Sequence, residues 1–176
     1  MASATQQFVV QVQCLKQQQV ASVSKTAQPL PNRMIFTDPA RHPKRGVTVL
    51  REWTPLATQG HDVAQYSVGY LYARGRGVSQ DWDVAREWYI SAARAEKAFQ
   101  RGLDLAQFQL GLMYAMGQGV PVDYVRLYTW FNIAASNGNV NAKIMRDKMS
   151  AEITPSQIAE AQKLARECVR KKYKDC

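Results

Sequence analysis

Histidine is scarce in this chain of 176 residues: His42 and His61 are its two representatives, and neither has a Cys, His or acidic partner at metal-ligand spacing. The scarcity argues against a metal centre and against histidine-based acid and base chemistry, so neither metal nor cofactor is expected and the chain reads as non-enzymatic. Long apolar runs are missing too. No stretch reaches the ~18 apolar residues that suggest a membrane span, and the N-terminus lacks the basic start and unbroken apolar segment of a secretory signal. Cysteine is sparse: Cys14, Cys168 and Cys176 cannot all pair within one monomer, and their placement favours a reducing compartment, hence a cytoplasmic protein.

What the chain does contain is one motif written twice. Gly69, Tyr72, Gly75, Gly77, Val78, Asp81, Trp88, Ala92 and Ala93 recur 42 positions later as Gly111, Tyr114, Gly117, Gly119, Val120, Asp123, Trp130, Ala134 and Ala135. A self-similar unit of this length, with helical periodicity on both sides of a short Gly-rich turn, implies stacked helix pairs. Ala64-Gln65 and Ala106-Gln107 open the two units, Ala142-Lys143 opens a further first-type helix, and Trp53, Ala57 and Gly60 end a preceding half unit. The segment between Ala93 and Leu105 carries an insertion relative to the next spacing.

The stretches AQYSVGYLYARGRGVSQDWDVAREWYISAA and AQFQLGLMYAMGQGVPVDYVRLYTWFNIAA resemble the Sel1-like repeat, of the tetratricopeptide-like superfamily of paired antiparallel helices. The closing stretch ITPSQIAEAQKLARE is similar to the last helix common in bacterial members. The resemblance implies an all-α fold, a right-handed alpha-alpha superhelix or solenoid with a C-terminal capping helix. It also implies protein binding or scaffolding without inherent catalysis. The expected organisation is a poorly ordered or extended arm over residues 1–46, repeats over 47–149, and a capping helix with tail over 150–176. Two departures stand out: the insertion after Ala93, and Pro55, which is expected to shorten the helix carrying Trp53.

In the arm, Phe8, Val10, Val12 and Cys14 alternate with polar residues and permit a short strand. Prolines then keep the chain non-helical until about Val47. A helix over Asp62–Arg74 is expected, with Asp62 as its N-cap. Gly69 and Gly111 sit mid-helix, where glycine is about 1 kcal/mol worse than alanine, so close helix approach must compensate. Gly75, Gly77 and their counterparts end the first helices; RGRGVSQD and MGQGVPVD lack the lysine-hydroxyl pair of a phosphate-cradling loop. Asp81 and Asp123 start the second helices, Trp88 and Trp130 are core residues, and Thr154-Pro155 starts the last helix. There Ile158, Ala161, Ala165, Cys168 and Val169 form an apolar stripe suited to covering the end of the stack.

The net charge of +9 raises nucleic acid or an acidic protein face as partners. The excess is spread along the chain, with seven basic against three acidic residues in 1–62, ten against seven in 63–149 and six against four in 150–176. No basic domain emerges, which disfavours nucleic acid. The reading is a protein-protein interaction module, or adaptor, that binds a protein or peptide segment on its concave face without transforming it. Gln65, Tyr70, Arg74, Gln107, Gln109 and Met116, all on first helices, are the candidate contacts. The alternatives are a basic helical-repeat protein that binds nucleic acid non-specifically through Arg41/Lys44/Arg45 and Arg170/Lys171/Lys172/Lys174, and a structural homodimer.

Overall fold

Glycine sets where the helices stop. Gly75 and Gly117 take φ of +63° and +66°, and the next residues, Arg76 and Gln118, return their amides to the carbonyls of Leu71 and Met113 at 2.9 and 3.0 Å. Each end is thereby closed with its last carbonyls satisfied. The chain reverses within a few residues, and the amides of Asp81 and Asp123 bond back to the carbonyls of Tyr72 and Tyr114 at 3.1 and 3.2 Å. The same two carboxylates accept from Val84 and Arg126 amides at 2.9 Å and so start the second helix of each pair, as the sequence predicts.

The computed structural model describes residues 43–94, 100–174 and 176. Among them the helices run α1 (Pro43–Thr58), α2 (Asp62–Arg74), α3 (Trp82–Ala93), α4 (Gln100–Met116), α5 (Tyr124–Ser136), α6 (Val140–Met149) and α7 (Pro155–Arg170). The expected strand in the N-terminal arm, Cys14 and residues 95–99 of the segment after Ala93 lie outside the described residues. The architecture is an all-α repeat solenoid of tandem helix-turn-helix units with a C-terminal helix. α2 pairs with α3 and α4 with α5; α2 lies beside α4, α3 against α4, α1 against α2, and both α6 and α7 against α5.

Bare backbone lets the pairs close. A Cβ on Gly69 would stand 2.9 Å from the Tyr89 ring, and one on Gly111 2.5 Å from the Phe131 ring. The aromatic ring of each second helix therefore sits where the first helix has no side chain, which supplies the close approach that two mid-helix glycines require. Trp88 packs with Ala57, Ala64, Val68 and Val84, while Trp130 joins Tyr89, Leu110, Met113 and Phe131 in a second core that extends to Ala161, Ala165 and Cys168 of α7. Both indoles are core residues, as their spacing beside small alanines suggests.

Several expectations need correction. Helix begins at Pro43, not near Val47, because proline suits a first helical position. It also runs through Pro55 to Thr58. The carbonyl that Pro55 leaves without an amide is that of Arg51, and both residues are exposed, so solvent can take the donor's place. Asp62 is not the N-cap: His61 holds that position and Asp62 opens the helix proper. In α7 the Thr154 cap forms with Gln157 as a capping box, but Val169 is 53% exposed and leaves the apolar stripe. Cys168 and Cys176 form a disulfide, which removes the cysteine argument for a reducing compartment. Among the described residues no helix is long and apolar enough to cross a membrane.

Candidate functional site

Residues four apart share one face of a helix, which puts Tyr66, Tyr70 and Arg74 in line on α2. The rings of Tyr66 and Tyr70 are 6.3 Å apart, and Tyr66 meets Tyr89 of α3 at 5.8 Å. The Tyr66 hydroxyl faces the Gln109 side chain of α4, so the two units meet here. Burial pushes the Tyr66 pKa up and the Gln109 side chain opposes the shift, so the group stays a neutral phenol at physiological pH. The guanidinium groups of Arg74 and Arg76 lie 5.6 and 5.4 Å from the centroid of the Tyr70 ring. Tyr70 is half-buried and Arg74 exposed. The result is a ridge in which an aromatic face, two cations and an amide border one another across two repeats.

Met116, 55% exposed, stands two turns beyond Gln109 on the same face of α4. Gln65 and Gln107 occupy equivalent positions and turn inward. Gln65 is buried; its Nε2 donates to the Ala57 carbonyl at 3.0 Å, while its Oε1 has no partner among the described residues. Gln107 is fully buried, its Nε2 donating to the Tyr173 hydroxyl at 3.1 Å and its Oε1 accepting from Asn137 Nδ2 at 2.8 Å. These two amides fasten neighbouring elements, and the surface ridge comprises Tyr70, Arg74 and Gln109 with Met116 at its end.

Sequence reasoning missed Tyr66 and Arg76. Arg76 had a usable signal: it fills the turn between two glycines where the other repeat has Gln118, and a position free to differ between copies is one that packing does not dictate. Asp62 and Asp104 were also readable from the same 42-residue offset. Asp62 Oδ2 accepts from the Gly102 amide in the first turn of α4 at 3.2 Å, and Asp104 Oδ2 accepts from Asn139 Nδ2 at the start of α6 at 3.2 Å. Burial raises the pKa of both carboxyls, and both serve as joints to the next first-type helix. No group of His, Cys, Asp and Glu suited to hold a metal occurs among the described residues. Of the basic groups considered for phosphate contacts, Arg170, Lys171, Lys172 and Lys174 are exposed at the end of α7, while Arg41 and the side chains of Lys44 and Arg45 lie outside what is described.

Residues 62–97 and 104–139 each match the family pattern described as Sel1 repeat. No curated protein matches the sequence significantly. A solved structure with a similar fold is the crystal structure of a protective antigen present in uropathogenic Escherichia coli strains, displaying an SLR fold. It is 25% identical, with a TM-score of 0.62, over 78% of this chain and 32% of that one. This chain thus spans about a third of that antigen's length.

Proposed function

We propose that this chain, an all-α repeat solenoid in which residues 62–97 and 104–139 match the Sel1 repeat, is a non-catalytic adaptor that binds a segment of another protein on the concave face lined by α2 and α4. The observation that carries this reading is the ridge of Tyr70 beneath Arg74 and Arg76 with Gln109 alongside. Tyrosine and arginine dominate interface energetics because they combine large apolar contact with directed polar groups, and here both are held on rigid helices. The amide of Gln109 adds a donor and an acceptor for peptide backbone.

The test is to replace Tyr70, Arg74 and Gln109 one at a time and measure affinity for a partner isolated by crosslinking. A loss of about tenfold or more at Tyr70 is expected. A partner that binds all three folded variants unchanged places the site elsewhere, and substrate turnover that follows mutations of the protein overturns the adaptor class.

A second reading, self-association, has one observation in its favour: Val140 and Ile144 on α6 are 68% and 48% exposed, one turn apart. Light scattering over a concentration series decides it, since a monomer mass throughout rejects a homodimer.

A further inference from the structure

α5 and α7 pack together, and residues near the C-terminal ends of both line a cleft of about 660 Å³. That volume is in the range that holds a short peptide segment. Its lining includes three cations, Arg94 at the end of α3, Arg166 of α7 and Lys172 just beyond it, and includes no carboxylate. Among the described residues none of the three makes an ion pair; Arg94 donates from Nη2 to the Tyr173 carbonyl at 3.1 Å, which occupies one of its five N–H donors. Beside the cations the wall is apolar at Ile133 and Ala165, both buried, and at Val169, 53% exposed, and polar at Asn132, Ser136 and Asn137.

The wall formed by Lys172 and Tyr173 is fixed in place. Tyr173 stacks on Trp130 at 5.9 Å, its hydroxyl accepts from Gln107, and the Cys168–Cys176 disulfide closes the loop that carries it. Lys172 and Tyr173 have φ of +50° and +58°, a backbone region that non-glycine residues seldom occupy. Their surroundings therefore impose the conformation that brings Lys172 to the cleft.

We infer that this cleft is a second binding site, for an acidic peptide segment with an aliphatic anchor. Carboxylates of the segment meet Arg94, Arg166 and Lys172, and a leucine-sized side chain meets Ile133 and Val169. Three full positive charges outweigh the helix C-terminus beside them, which carries roughly half a negative charge. A nucleic acid suits the cleft less well. One face of the Tyr173 ring is already taken by Trp130, so little aromatic surface remains for base stacking.

A fluorescein-labelled peptide with one leucine between glutamates, in a glycine-serine background, is titrated with the full chain at low ionic strength and followed by anisotropy. Saturable binding is expected, with R166Q and K172Q each weakening it about two- to fivefold. R74Q, outside the lining of the cleft, should leave it unchanged, which separates this site from the α2 and α4 ridge. Circular dichroism confirms that the variants fold, as both substituted side chains are exposed. Unchanged affinity in R166Q and K172Q overturns the proposal. So does equal binding of a peptide with serine in place of leucine, or tighter binding of a mixed-sequence oligonucleotide, since either shows attraction by charge alone.

Discussion

Tyr89 carries a buried hydroxyl with no hydrogen-bond partner among the described residues, and burial pushes its pKa far up. Its counterpart in the next unit is Phe131, whose ring sits against Gly111 as the Tyr89 ring sits against Gly69. The second repeat thus fills the same seat without a hydroxyl. Tyr89→Phe is expected to stabilise the fold by about 1 kcal/mol in urea unfolding, because an unpaired buried donor keeps its desolvation penalty; a loss of similar size would mean that the hydroxyl is paired. Asp62 poses the opposite problem, since its carboxylate is paired and still disfavoured. Desolvation raises its pKa more than the neighbouring backbone amides, that of Gly102 among them, lower it. As pH falls, the folded chain therefore takes up this proton before the unfolded chain does. The site weakens the fold when ionised, and that penalty fades as pH drops through the raised folded pKa towards the unfolded value of ~3.9. Asp62→Asn keeps an oxygen for the Gly102 amide and removes the charge. It should leave stability at neutral pH equal or up to about 1 kcal/mol higher, and it should flatten the gain on mild acidification that unfolding titrations show for the parent chain.

At the scale of the helix, one closing device recurs. α1, α2, α4 and α5 end with a glycine at positive φ, namely Gly60, Gly75, Gly117 and Gly138, and the residue after each returns its amide to a carbonyl in the last turn. α7 ends the same way, with the Tyr173 amide on the Cys168 carbonyl at 2.7 Å and the Lys172 amide on Val169 at 3.1 Å, yet lysine holds the glycine position. Lys172→Gly should therefore stabilise the chain by about 1 kcal/mol while weakening the acidic peptide, and a melt beside an anisotropy titration reads both. Loss of stability would show that the lysine side chain, not its backbone, holds the end of α7. The glycines, Asp81, Asp123 and Thr154 made helix limits legible because each acts through its own backbone or the next turn. The inward turn of Gln107 was not legible. Repeat spacing marks which residues are equivalent, but Gln107 is buried by Asn137 and by a tyrosine 66 positions away. The joint from Asp62 to Gly102 spans 40 positions across the inserted segment, so local pattern reads Asp62 as a cap for its own helix.

Across the whole molecule most packing is between neighbours in the array, and such a stack needs a cover at its end. α7 provides it, but the tail behind α7 reaches further than a cover must. Tyr173 stacks on Trp130 of α5, receives Gln107 of α4 at its hydroxyl, and receives Arg94, from the end of α3, at its carbonyl. One residue so ties the tail to both complete repeats. The cysteine pattern did not disclose this, because pairing Cys168 with Cys176 requires the chain to turn back through left-handed backbone at two non-glycine residues. The disulfide spans eight positions, for which loss of unfolded-chain entropy gives about 2–3 kcal/mol of stabilisation. Stacking and hydrogen bonding of Tyr173 add to that only while the tail is in place. Cys176→Ser is therefore expected to lower unfolding stability by about 2–3 kcal/mol and to alter the fluorescence and near-ultraviolet circular dichroism of Trp130 as its partner ring leaves. The parent chain in excess dithiothreitol should behave as the variant does, whereas reductant should leave the variant itself unchanged. If the variant and the reduced parent both retain the parent's stability and indole spectrum, the tail is held by Tyr173 alone, and Tyr173→Ala with the disulfide intact should then produce the spectral change that opening the bridge does not.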